Sequence, residues 1–128
     1  MQKLKINDII KRIERQETFD ATAFDNSFRI KITKYVPYCC TAIHDGSNFR
    51  EQLKKKITLD EFQRWFEEDP HTGVFISAMP ITISGLDSRF EYDLNRRSED
   101  CIYEEAWGNK VWKRPLTPTE RQASKQKH

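Results

Sequence analysis

The spacing of apolar residues changes period early in the chain, and that change constrains the fold more than any other feature of the sequence. Ile6, Ile9, Ile10 and Ile13 recur at helical intervals among Lys, Arg and Glu, the pattern of an amphipathic helix. Further on, Phe28, Ile30 and Ile32 alternate with Arg29 and Lys31, the pattern of a half-exposed strand. Asp25-Asn26-Ser27 predicts a turn that closes a hairpin onto residues 18–23. A chain that alternates these two periods folds as an α/β protein.

The same signals continue. Residues 36–43 are mostly apolar and small, and they run into His44-Asp45-Gly46-Ser47-Asn48, so a buried strand leading into a polar loop is expected. Thr58 with Glu61 predicts the start of a helix that carries Leu59, Phe62 and Phe66 on one face, and Pro70 ends it after Glu67-Glu68-Asp69. Residues 80–84 and 88–94 read as two strands joined at Gly85-Leu86-Asp87. Alternation along the second places Arg89, Glu91, Asp93 and Asn95 on one side and Phe90, Tyr92 and Leu94 on the other. Residues 97–115 are irregular and aromatic, an excursion that could pack over a site, with Trp107 and Trp112 exposed.

The last element has a strong start, Thr117-Pro118-Thr119-Glu120, with threonine as cap, proline at the first helical position and glutamate at the third. From Arg121 to His128 only Ala123 is apolar. A helix without an apolar stripe is not expected to anchor itself by burial, so the chain reads as cut at its carboxyl end.

Composition narrows the class. At 128 residues the chain has the size of one domain, and eight Phe, four Tyr and three Trp exclude a disordered polypeptide. Net charge is +2 with acids and bases interspersed, which argues against a nucleic-acid binder. Lys54-Lys55-Lys56 and the basic tail read as solvated faces. Cys39, Cys40 and Cys101 are odd in number and two are adjacent; with no secretion signal and no membrane-length apolar run, this points to a cytoplasmic protein.

Three clusters can carry chemistry. His44 ends the expected buried strand, where it is a possible metal ligand. Glu67-Glu68-Asp69 crowds acids at the unfavourable end of a helix dipole, and a cation would relieve them. Residues 88–96, Ser-Arg-Phe-Glu-Tyr-Asp-Leu-Asn-Arg, combine arginine forks that match carboxylates with an asparagine amide.

In this order the clusters resemble the N-formylglutamate amidohydrolase family, itself similar to zinc carboxypeptidases and aspartoacylases. The string Asp93-Leu94-Asn95-Arg96 after Ser88-Arg89 is the most distinctive part. The resemblance implies a zinc-peptidase-like (phosphorylase/hydrolase-like) α/β fold, a mixed sheet flanked by helices. Residues 1–128 would be the amino-terminal part of a single amidohydrolase domain, truncated at the carboxyl end. It implies zinc as cofactor, with His44 as first ligand and a carboxylate from Asp69 or Glu68. Arg89 would polarise the scissile carbonyl, and Asn95 and Arg96 would hold the substrate carboxylate, while Asp93 orients the segment. The substrate would be a small N-formyl or N-acyl acidic amino acid such as N-formylglutamate.

The chain departs from the family at Ile43-His44-Asp45-Gly46, where a Pro-His-Ser-Gly or Pro-His-Ala-Gly loop is usual. The family's third zinc ligand and its general-base glutamate lie in a later segment without counterpart here; His71 and His128 are the histidines left to substitute. The isolated chain is therefore expected to have little or no activity, and its incomplete sheet to favour self-association. The alternative expectation is a non-catalytic binding module of the same fold.

Overall fold

The computed structural model describes residues 2–128. Strand β1 (Gln2–Leu4) passes into helix α1 (Ile6–Glu14), and β2 (Phe19–Ala23) returns parallel to β1. Ile9 is the buried contact of α1, packed with Leu4, Phe19, Ala21, Ile30 and Ile32. The expected hairpin forms: β2 pairs antiparallel with β3 (Phe28–Ile32), Phe19 opposite Ile32. Its turn is held by Asp25 Oδ1, which accepts from the Ser27 amide at 3.1 Å, with Asn26 left-handed at φ 58°.

β3 then pairs antiparallel with β5 (Ile81–Gly85), and β4 (Cys40–Ala42) lies parallel to β5. The result is a five-stranded mixed sheet in the order β1-β2-β3-β5-β4. Helices α2 (Glu51–Lys54), α3 (Glu61–Glu67) and α4 (Thr72–Phe75) fill the connection from β4 to β5. After β5 come a small hairpin, β6 (Glu105–Ala106) with β7 (Asn109–Lys110), and helix α5 (Pro118–Lys127). The protein is mixed α/β, as its alternating periods indicate. No described helix is long and apolar enough to cross a membrane.

Several local expectations are corrected. Residues 36–43 do not form a long buried strand: β4 has three residues, and Tyr38, Cys39 and Thr41 are exposed. β4 is an edge strand with a neighbour on one side only, so its apolar composition is not matched by burial. Helix α3 is capped by Asp60 rather than Thr58. The Asp60 carboxylate accepts from the Gln63 amide at 2.8 Å, while Gln63 Oε1 accepts from the Asp60 amide at 3.0 Å. Thr58 instead donates its amide to the Val111 carbonyl. Of the expected apolar face, Leu59 is half-buried and Phe62 and Phe66 stand in solvent.

Residues 88–94 are turns, not a strand, and no two-sided alternation exists there: Phe90, Glu91, Tyr92 and Asp93 are all buried in succession. Their carboxylates find donors inside the protein, so charged and aromatic side chains enter the core together. Around them lies a second core of Phe49, Leu53, Ile57, Phe90, Val111 and Trp112. Trp112 is therefore not an exposed aromatic; its indole N–H donates to the Tyr103 carbonyl at 2.6 Å. Trp107 is exposed as expected.

Helix α5 carries the expected Thr117–Glu120 capping box, but it docks without an apolar stripe. Arg50 donates to the Glu120 carbonyl at 3.2 Å and to the buried Ser124 Oγ at 2.6 Å, Lys56 pairs with Glu120 at 2.8 Å, and Lys127 pairs with Asp87 at 2.6 Å. Charge-assisted hydrogen bonds hold this helix where apolar area does not.

Candidate functional site

The site is built where the loop after β4 meets the segment after β5. Gly46 lies so close to Leu86 that a Cβ there would fall 2.0 Å from the Leu86 carbonyl carbon. This contact lets the two strands of chain zip together: the Asn48 amide donates to the Leu86 carbonyl at 2.9 Å, and the Ser88 amide to the Asn48 carbonyl at 2.8 Å. Asp69 is drawn in separately, because its amide donates to the His44 carbonyl at 3.2 Å. Backbone contacts thus bring three sequence-distant segments to one place before any side chain is considered.

The side chains converge accordingly. His44 is buried, with Nδ1 3.3 Å from Asp69 Oδ2 and Nε2 2.6 Å from Asp93 Oδ1. Asp93 is also buried, and it accepts from the Tyr103 hydroxyl, from the Asn95 amide at 2.8 Å and from Arg89 Nη2 at 3.4 Å. Burial pushes the Asp93 carboxyl up, but the donors Tyr103, Asn95 and His44 outweigh it and hold it below the usual carboxylate range. Burial and the bond to Asp93 push the Tyr103 phenol up, so that it stays a proton donor.

Arg89 crosses the same space. Nη1 is 3.8 Å from Asp69 Oδ2, Nη2 donates to the Tyr103 hydroxyl at 3.1 Å, and the guanidinium lies over the Trp107 ring at 5.1 Å from its centroid. Its Nε is buried without a hydrogen-bond partner. A fixed guanidinium with a spare donor is suited to a carbonyl or carboxylate oxygen.

Of the residues singled out from the sequence, His44, Asp69, Arg89 and Asp93 come together. Asp93 touches His44, Tyr103 and the Asn95 amide. Glu68 does not join them: it is buried and accepts from Ser88 Oγ, and burial raises its carboxyl pKa above the ordinary value. Of the two acids that the sequence leaves open, Asp69 is the one whose side chain lies beside His44. Asn95 contributes its backbone amide to Asp93 while its side chain is exposed, and Arg96 lies at the rim, Nε 3.8 Å from Asp93 Oδ2. His71 is exposed, edge-on to Trp65, and His128 faces the Arg96 carbonyl at 2.9 Å. The sequence does not single out Tyr103 and Trp107 as site residues; the aromatic, irregular composition of residues 97–115 is the signal that a cover lies there.

The His44–Asp69 pair fits a metal ion by its chemistry. Imidazole nitrogen and carboxylate oxygen bound to one tetrahedral zinc stand roughly 3.3–3.5 Å apart, which the observed 3.3 Å separation matches. The other ring nitrogen on a buried carboxylate is the outer arrangement that orients metal-bound histidines. Among the described residues no group of three His, Cys, Asp or Glu side chains is arranged to hold a metal ion. His44 and Asp69 are two candidate donors, where a catalytic zinc uses three.

Compared with protein-family models, curated proteins and solved structures, the chain has no match.

Proposed function

We propose that this chain carries part of a zinc-dependent amidohydrolase site, of the zinc-peptidase-like kind, acting on an N-formyl or N-acyl acidic amino acid such as N-formylglutamate. One observation supports it above the others: His44 Nδ1 faces Asp69 across 3.3 Å while Nε2 rests on buried Asp93, beside the Arg89 guanidinium. His44 and Asp69 would hold zinc, which when bound supplies a Lewis acid and a water of lowered pKa. Asp93 fixes the imidazole ring and presents Nδ1 outward. Arg89 donates to the amide carbonyl and to the negative charge that develops on its oxygen. Arg96, with the Asn95 side chain, reaches for the substrate carboxylate from the rim. No third ligand joins the site among the described residues, and the chain by itself is expected to turn over little or no substrate. The three unpaired cysteines accord with a cytoplasmic setting.

A second reading has its own support. Both ring nitrogens of His44 already face carboxylates, and a ring carrying a proton on each would satisfy both without any metal. The site would then be a structural polar network in a non-catalytic binding module, with Trp107 exposed at its surface. Zinc stoichiometry of the purified chain and of His44→Ala separates the two. Zinc binding, weak with two ligands but lost in His44→Ala, supports the amidohydrolase site. Absence of binding by a folded chain defeats it.

A further inference from the structure

The cleft of about 1350 Å³ beside α3 is lined by none of His44, Asp69, Arg89 or Asp93. Its wall contains Arg64, which is only 5 % exposed. A buried guanidinium normally has a carboxylate or several carbonyls on its donors, because desolvation without them is costly. Arg64 has neither: no hydrogen bond or ion pair reaches its side chain among the described residues, and its Nε is buried without a partner. The compensation on view is the Phe49 ring, with the guanidinium carbon 4.7 Å from the centroid, and the field of Glu68 beyond ion-pair reach.

The other cations of the cleft are already paired, Lys54 with Glu51 among them, while the acids Asp45 and Glu61 on its wall have no ion pair among the described residues. Arg50 holds Glu91, and Lys127 holds Asp87. Phe62 and Trp65 stand on the same wall with their rings stacked at 6.3 Å, and both are exposed. An unused fork donor beside an aromatic shelf matches a ligand with an oxyanion at one end and a flat apolar body at the other.

We propose that this cleft is a second small-molecule site, separate from the His44 cluster, in which Arg64 binds the carboxylate or phosphate of an aromatic compound whose ring rests on Phe62 and Trp65. Phenylacetate and phenyl phosphate serve as probes of the two oxyanions, titrated into the full chain while Trp fluorescence and the Arg64 Nε–H NMR signal are followed. Saturable binding of either probe is expected, with the Arg64 signal shifting along the same curve; which probe binds identifies the oxyanion. Arg64→Met should weaken it by about tenfold or more, as loss of a charge-assisted bidentate contact does. His44→Ala should leave it within about twofold, so failure of the metal site and failure of this one are read separately. Should Arg64→Met not fold, the Arg64 signal in the unaltered chain still decides. An Arg64 signal that does not move, or binding equal in Arg64→Met, overturns the proposal.

Discussion

His44 Nε2 lies 2.6 Å from Asp93 Oδ1, a contact between two buried residues that fastens the loop after β4 to the turns after β5. Asp93 gathers Tyr103, Arg89 and the Asn95 amide at the same time, so one carboxylate sets the positions of an imidazole, a phenol and a guanidinium. Orientation of the proposed ligand therefore depends on a residue that need not touch substrate.

Asp93→Asn keeps the shape and removes the charge. The near-isosteric amide loses an acceptor for Tyr103 or His44, and a stability loss of about 1–3 kcal/mol is expected in urea unfolding. Zinc affinity, measured by titration with a chromophoric competitor, should fall roughly 10–100-fold, as it does when a carboxylate behind a histidine ligand is removed. Unchanged zinc affinity would show that His44 does not take its orientation from Asp93.

Arg50→Met tests how α5 is held. Glu91 is fully buried and accepts from the Arg50 amide and side chain, while the same guanidinium reaches Ser124 and the Glu120 carbonyl. Removing the guanidinium leaves a buried carboxylate without its counter-charge, at a cost of about 3–5 kcal/mol. Hydrogen exchange should accelerate across α5 first, since Arg50 is one of its main anchors. Adding Glu91→Gln should recover part of the loss; no recovery would mean that the pair is not the source.

The first sheet hairpin and the start of α5 are legible in the sequence because local chemistry decides them: a β-period pattern across an Asx turn, and a capping box with proline behind it. Residues 88–94 mislead for a physical reason. Alternating charged and aromatic side chains mimic a half-exposed strand, and nothing local reveals that Arg50, His44 and Tyr103 will supply partners for Glu91 and Asp93. The same blindness applies to α5, whose docking depends on charges from residues 50, 56 and 87. The cluster itself is legible in its members His44, Asp69 and Arg89. Glu68 and Asp69 are inseparable by sequence, because adjacent carboxylates on one turn differ only in direction, which long-range packing fixes.

Gly46→Ala should damage the site without touching any charged group. The added methyl would meet the Leu86 backbone at 2.0 Å, and backbone cannot swing aside as a flexible side chain can. A loss of about 1–3 kcal/mol or more is expected from such overpacking. The paired amides of Asn48 and Ser88 should exchange faster, and the His44 ring resonances should move. A variant that melts with the unaltered chain and keeps those resonances would mean that this close approach is not required.

Acid titration separates Asp93 from Glu68, because their shifts have opposite signs. The folded Asp93 carboxyl lies below its unfolded value of about 3.9, so its contribution is present above that pH. That stability is lost as the pH falls through the lower, folded value. Glu68 is raised by burial, against the partial relief of Ser88, Arg64 and Arg89. Between its unfolded value near 4.3 and its higher folded value the native state binds more protons than the unfolded chain. Stability then falls as pH rises through that window, and the ionised carboxylate is a burden at neutral pH. Glu68→Gln removes the titration while keeping an oxygen that can accept from Ser88. The variant should therefore exceed the unaltered chain in stability at pH 7.5, with the advantage shrinking as the pH falls toward about 4. Urea unfolding at the two pH values measures it. A Glu68→Gln protein that is less stable at pH 7.5 would place an ionised, favourably held Glu68 in the folded state.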